Sequence, residues 1–202
     1  LAKNFSLPKK QLISPNCAEA SFFEWDLHRS DPMKLLYLGS FQAWKGVPNA
    51  IRAMKDLPEY ELTIIGGSDR EIQEIQSQAP SNVRFLGFKT HSQIQDEMEK
   101  SSIALIPNRL TPMNSLQTFP MKLVEYAAAG KKIVTTDLPI LKELKPGAWC
   151  SRVPADQPEA IARAVREQTA RSQDRQEIRD WARAFQWDQQ AEKIEEFIRR
   201  VI

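Results

Sequence analysis

The sequence predicts an α/β fold: a doubly wound parallel sheet of about six strands, Rossmann-like, completed by C-terminal helices. Three observations predict it. From Met33 onward short β-rich runs alternate with helical ones, the β-rich runs are apolar almost throughout, and after Pro158 only helical periodicity remains. Strands that are apolar on both faces belong to a sheet covered on both sides. Right-handed crossovers between parallel strands supply that cover with helices.

Residues 1–32 hold several prolines, few periodic apolar positions and a turn-like SPN at 14–16, and are expected to form an interdomain linker or hinge. MKLLYLG (33–39) is the first expected strand, and Val47, Ala50, Ile51, Met54 and Leu57 follow it at helical spacing. YELTIIG (60–66) and NVRFLGF (82–88) are the next strands, and Ile94 and Met98 mark a helix in HSQIQDEMEKS. SIALIP (102–107) and KIVTTD (132–137) bracket the stretch FPMKLVEYAAAG, and AWCSRVP (148–154) is a weaker sixth strand. Residues 33–158 therefore make the sheet domain. Residues 159–202 read as three helices, marked by Ile161, Ala164 and Val165, then Ile178, Trp181, Ala182 and Phe185, then Ile194, Phe197, Ile198 and Val201.

The bulk numbers narrow the function. A chain of 202 residues, 42% hydrophobic and 27% charged, can bury one sizeable core, and no apolar run approaches the roughly 20 residues of a membrane span. A net charge of +2 with no basic run longer than two residues argues against nucleic acid as a partner. Cys17 and Cys150 lie far apart with no CxxC or histidine-rich company, so no disulfide framework or metal site is expected and a cytoplasmic setting fits. The chain begins LAKNF, with no charged-then-apolar leader, and is expected to be cut from a longer protein.

In a doubly wound sheet ligands bind beyond the carboxyl ends of the strands. The first such loop, GSFQAWKG, offers Gly39 for close backbone approach, Ser40 beside it, and Lys45 just ahead of a helix start, features that suit a phosphate; a solvated lysine is the simpler reading of Lys45. The second carries Gly66 and Gly67 but no GxGxxG, which disfavours a dinucleotide and leaves an ordinary strand-to-helix turn as an equal reading. After the third strand, Phe88 can pack against a nucleobase or simply fill the core, and His91 starts a helix.

The fourth loop, Asn108 to Thr118, leads into the helix of the opening stretch, with Thr118 as an expected cap, Pro120 in the first turn and Gly130 as the stop. Met121, Lys122 and Leu123 then present first-turn amides, and Lys122 adds a full positive charge to an anion site. Val124, Ala127 and Ala128 are expected to face the sheet, with Lys122, Glu125 and Tyr126 on or near the other side. Glu125, one turn further in, can accept two hydrogen bonds from a vicinal diol such as a ribose, or can pair with Lys122 at the surface.

These segments in this order, ISPNCAEASFF, KLLYLGSFQAWKGVPNAIRAM, NVRFLGF, IALIPN, FPMKLVEYAAAGKKIVTTD and FQWD (185–188), resemble the C-terminal donor-binding domain of GT-B glycosyltransferases, family 4 or group 1 of the sequence-based classification. The resemblance covers roughly residues 13–200, and FPMKLVEYAAAGKKIVTTD is its most specific piece. It implies that 33–158 is a nucleotide-sugar-binding Rossmann-like domain, that a nucleotide-diphosphate sugar is the donor, that chemistry is usually retaining, and that no metal or other cofactor is required. By position it puts Gly39 and Lys45 near the phosphates and the Phe88 region at the base, and Ser40 and Gly66, in the turns after the first two strands, are counted with the donor-binding residues. It likewise puts the Met121, Lys122 and Leu123 amides at the diphosphate and Glu125 at the ribose. The family's paired acids lie eight positions apart, and the partner of Glu125 falls at Gln117, which keeps a hydrogen-bonding contact to the sugar and loses the charge; Phe41, or Ser40 if the register slips by one, stands where an arginine is common.

A complete enzyme of this kind has an N-terminal acceptor domain, which has no counterpart in this sequence, so this chain alone is expected to turn over little or nothing. The acceptor, a glycan or lipid-linked glycan, would be held by that domain. Cell-surface polysaccharide or lipopolysaccharide synthesis, in the cytoplasm or at the inner face of the membrane, is the implied setting. Two other classes compete: a non-catalytic nucleotide- or partner-binding domain of the same fold, favoured by Gln117, and a sugar-nucleotide epimerase, disfavoured because its histidine and paired acids are missing from the matching loops. In the family the last helix crosses to the N-terminal domain. Phe197, Ile198 and Val201 are therefore expected to present an apolar face open to self-association.

Overall fold

The computed structural model describes residues 12, 14–26, 30–112 and 119–201. Six parallel strands form one sheet: β1 Asp31–Leu38, β2 Glu61–Ile65, β3 Val83–Gly87, β4 Ser101–Ile106, β5 Lys132–Thr136 and β6 Cys150–Val153, in the order β3-β2-β1-β4-β5-β6. All six lie within a residue or two of the expected runs. The helices are α1 Val47–Ala53, α2 Asp69–Gln76, α3 His91–Lys100, α4 Met121–Ala128, α5 Leu141–Leu144, α6 Pro158–Ala170, α7 Arg175–Arg183 and α8 Trp187–Val201.

The inner stretches of the central strands, Leu35–Tyr37, Ile64–Ile65 and Ile103–Ile106, are apolar because both of their faces are buried. Leu35, Tyr37, Leu62, Ile64, Ile103, Leu105 and Val134 pack with α1 and α6 on one side. Leu36, Ile65, Ala104, Ile106 and Ile133 pack with α3, α4 and α7 on the other. At roughly 25 cal/mol per Å² of apolar surface removed from water, these two clusters are the main drive to fold. The chain reverses direction across the sheet between β1 and β4, the two central strands, which pair through Leu35–Ile103 and Leu36–Ala104. This is the switch point at which the loops from neighbouring strands diverge and leave a crevice.

Residues 14–26, read from the sequence as part of a linker, are packed in the structure. Cys17, Ala18, Phe22 and Trp25 are buried. The Ala18 N–H donates to the Phe185 carbonyl at 3.0 Å, and the Arg179 guanidinium donates to the carbonyls of both Trp25 and Ala128. The last helix behaves differently. On α8 the side chains of Trp187, Ile194, Ile198 and Val201 are exposed by 37–55%.

Candidate functional site

Helix α4 places the central part of the site. Pro120 sits at its N-cap position and Met121 opens the helix. At the other end the Lys131 N–H bonds the Tyr126 carbonyl and the Gly130 N–H bonds that of Ala127, each at 2.9 Å, the paired bonds that end a helix on a left-handed glycine. The helix is buried on nearly every side, from Leu123 through Ala128, because α7 lies across the face turned away from the sheet.

That burial corrects one expectation. Tyr126 does not lie on the outer side with Glu125; it is wholly buried, and its hydroxyl accepts the Leu38 N–H at the end of β1 at 2.8 Å. Burial raises that hydroxyl well above its ordinary pKa. This bond fixes the rotation of α4 about its axis, so that Lys122 and Glu125, three apart, both face the crevice.

The crevice is a cavity of about 300 Å³ lined by Tyr37 and Leu38 of β1, Leu105 and Ile106 of β4, Asn108, Phe119 and the first turns of α4, with Trp44 and Lys45 closing it. It lies at the switch point. A wider depression of about 540 Å³ between Asp56 and Glu159–Glu167 touches no strand and is walled by alternating charges on a helix surface. The position of the smaller cavity, at the carboxyl ends of the central strands, makes it the candidate site.

Among the described residues that line it, Lys45, Lys122 and Glu125 are the basic and acidic side chains, beside the hydroxyls of Tyr37 and Tyr126. Lys122 and Glu125 form an ion pair, and the Glu125 residue is only 9% exposed. Lys45 ends a 3-10 turn, Ala43–Lys45, with its ammonium 4.1 Å from the centre of the Trp44 ring. Its pKa is lowered, first by burial and then by the charge of Lys122, with Glu125 acting in opposition. Two ammonium groups against one carboxylate leave a net positive cavity suited to an anion that brings its own hydrogen-bonding oxygens.

Of the residues singled out from the sequence, Lys45, Met121, Lys122 and Glu125 line this cavity. Gly39, Ser40 and Gly66 do not line it and lie in the turns that follow β1 and β2. The Ser40 carbonyl accepts the Tyr37 hydroxyl at 2.7 Å, and a side chain on Gly66, at φ 111°, would come within 2.1 Å of the Gly39 carbonyl oxygen. Leu123 is buried, and its N–H bonds the Pro120 carbonyl, while that of Met121 bonds the Phe119 carbonyl, each at 2.9 Å. Phe88 is 77% exposed at the carboxyl end of β3, so it is no core residue. Gln117 and Thr118 lie outside the described residues.

Sequence reasoning did not name Tyr37, Trp44, Asn108, Phe119 or Tyr126 as site residues, although all five line the cavity. Trp44 and Tyr126 stand next to Lys45 and Glu125, a signal within reach. Tyr37 and Asn108 meet the site only because β1 pairs with β4, which the sequence alone does not state. Among the described residues no group of three or more His, Cys, Asp or Glu is placed to hold a metal ion, and no helix is long and apolar enough to cross a membrane.

Comparison with known proteins bears on the family and the fold. Residues 32–170 match the family model described as glycosyl transferases group 1. The amylovoran biosynthesis glycosyltransferase AmsK of Erwinia amylovora is 27% identical over 145 residues, covering 66% of this chain and 34% of that protein. Among solved structures, the sucrose-phosphate synthase of Thermosynechococcus elongatus superposes with a TM-score of 0.71 at 20% identity over 93% of this chain and 51% of that one. Anabaena HepE in complex with UDP and glucose superposes with a TM-score of 0.66 at 18% identity over 82% of this chain and 48% of HepE. The chain thus spans between about a third and a half of these relatives' lengths.

Proposed function

The chain belongs to the group 1 glycosyl transferases, and on that premise we propose that it is the donor-binding half of a glycosyltransferase. It takes a nucleotide-diphosphate sugar, whose sugar passes to an acceptor glycan or lipid-linked glycan held by a domain outside this chain. Cell-surface polysaccharide or lipopolysaccharide synthesis, in the cytoplasm or at the inner membrane face, is the process assigned to it, in keeping with a relative named for amylovoran biosynthesis.

One observation carries this reading: Lys45, Lys122 and Glu125 converge on a single cavity at the switch point of the sheet. The two ammonium groups compensate the diphosphate, which is why the reading includes no metal, and the first turn of α4 adds its dipole. Glu125 accepts the ribose hydroxyls, Phe88 offers the base an exposed aromatic face, and Gln117 contacts the sugar. HepE, whose structure holds UDP and glucose, is a neighbour in fold.

Calorimetric titration with UDP, GDP, ADP and their sugars tests the reading. Binding of one nucleotide at micromolar to millimolar concentration is expected, and silence from all of them at millimolar concentration overturns it. The exposed face of α8 is assigned to a partner surface, met by a second copy of this chain when nothing else covers it. Sedimentation that stays strictly monomeric at high concentration would count against that assignment.

A further inference from the structure

The turn that carries Lys45 is held in place from outside the cavity. Gly46, at φ 68°, lies so close to the exit of β4 that an added Cβ would come within 1.8 Å of the Pro107 carbonyl oxygen. Two residues further on, the Arg109 backbone N–H donates to the Trp44 carbonyl at 2.8 Å. The Trp44 ring in turn carries the Lys45 ammonium. The Arg109 side chain reaches the other way: its Nε donates to Oδ1 of Asp156 at 2.9 Å, and Nδ2 of Asn49 in α1 donates to the same oxygen at 2.9 Å. Asp156 is in the turn after β6 and is not among the residues that line the cavity.

We propose that Asp156 is a positioning residue for Lys45. By gathering Arg109 and Asn49 on one carboxylate oxygen it fixes the Arg109–Trp44 backbone bond, and with it the place of the Lys45 ammonium in the cavity. The Arg109–Asp156 ion pair by itself adds little to stability, and what stability the arrangement gives comes from the Asn49 amide, on a residue 2% exposed. The Arg109 and Asp156 side chains are 55% and 46% exposed, and ion pairs that open to water add little. What the contact does is join three segments far apart in sequence, at 49, 109 and 156, around the loop that supplies the cation.

The inference rests on the donor site proposed above. Its test is calorimetric titration of the 202-residue chain and its Asp156→Asn variant with UDP, GDP and ADP. Asp156 has φ 57°, a conformation that asparagine also tolerates, so the turn is kept. The sign of the change is decisive. Removing a negative charge near an anion site should by simple electrostatics tighten binding or leave it alone, whereas loss of positioning weakens it, by roughly threefold to tenfold. The weakening should vanish when the same substitution is made in a Lys45→Ala background, as two residues acting on one contact require. Arg109→Lys, which keeps the charge and loses the guanidinium geometry, should weaken binding in the same way and serves if Asp156→Asn does not fold. Unchanged or tighter binding, or equal weakening with and without Lys45, overturns the positioning role and leaves the donor site standing. No binding of any of the three nucleotides by the unaltered chain overturns both.

Discussion

Lys122 and Glu125 form an ion pair one helical turn apart, turned into the cavity by the rotation of α4 that the Tyr126–Leu38 hydrogen bond fixes. The Glu125 carboxylate stands beside a cation and has lone pairs beyond that contact that a diol can use.

Glu125→Ala should therefore remove nucleotide binding by at least about tenfold, the worth of one or two charge-assisted hydrogen bonds. Calorimetry with the nucleotide that binds best checks this, and unchanged affinity would take Glu125 out of the site. Lys122→Ala should in addition cost about 1–2 kcal/mol of stability in urea unfolding, since it leaves the carboxylate without its partner in a site still one-third open at the lysine.

Gly46 should tolerate no side chain. Its left-handed backbone and the 1.8 Å approach to the Pro107 carbonyl oxygen mean that Gly46→Ala must separate the β1 and β4 exits. A loss of about 2 kcal/mol or more is expected from denaturant unfolding, with weaker nucleotide binding because Lys45 is the adjacent residue.

Lys131 should make stability depend on pH. Its ammonium is buried, donating to the Ser101 carbonyl at 2.8 Å, and burial above all lowers its pKa to about 7, with the charges of Arg175 and Arg179 acting in the same direction. The unfolded chain then binds more protons than the native one between pH 7 and the ordinary lysine range, so stability rises with pH across that interval and the penalty is complete below it. The slope can reach about 1.4 kcal/mol per pH unit. Burial of the Cys150 thiol, pushed up to about 12, acts in the opposite sense above pH 9, where an unfolded cysteine ionises. Lys131→Met should flatten the rise between pH 7 and 9; urea unfolding at pH 7, 8 and 9 that shows the same rise in both proteins would remove Lys131 as its source.

Arg179 should anchor the N-terminal segment. Its guanidinium satisfies the Ala128 carbonyl at the end of α4 and that of Trp25, in a site 9% exposed. Arg179→Met is expected to cost about 3 kcal/mol, the price of leaving two buried acceptors without a donor. Limited proteolysis should then cut within residues 14–26 before the sheet domain opens.

Much of the fold was legible. Runs such as LLYL and IALI are apolar at every position, as a strand covered on both faces requires, and the six strands fall where such short runs stand. The capping box at Ser68 and Glu71 that starts α2 was also written in SDRE, although too few apolar positions follow it to announce a helix by periodicity. Tyr126 was placed on the outer side because nothing within α4 shows that its hydroxyl reaches the Leu38 N–H at the end of β1, 88 residues earlier. The packing of Trp25 escaped notice for the same reason, since its partner Arg179 lies 154 residues away.

By itself the sequence determined the class of fold, the loops at which a ligand can lie, and the basic and acidic residues that those loops carry. These follow from local periodicity, from turn chemistry and from resemblance within single segments. Tertiary structure alone decided that β1 lies beside β4, that Lys45, Lys122 and Glu125 face one cavity, and that Asp156 reaches Arg109 behind it. Each of these depends on pairing between segments distant in the chain, and side-chain patterns within a segment carry no record of which distant segment will be its neighbour.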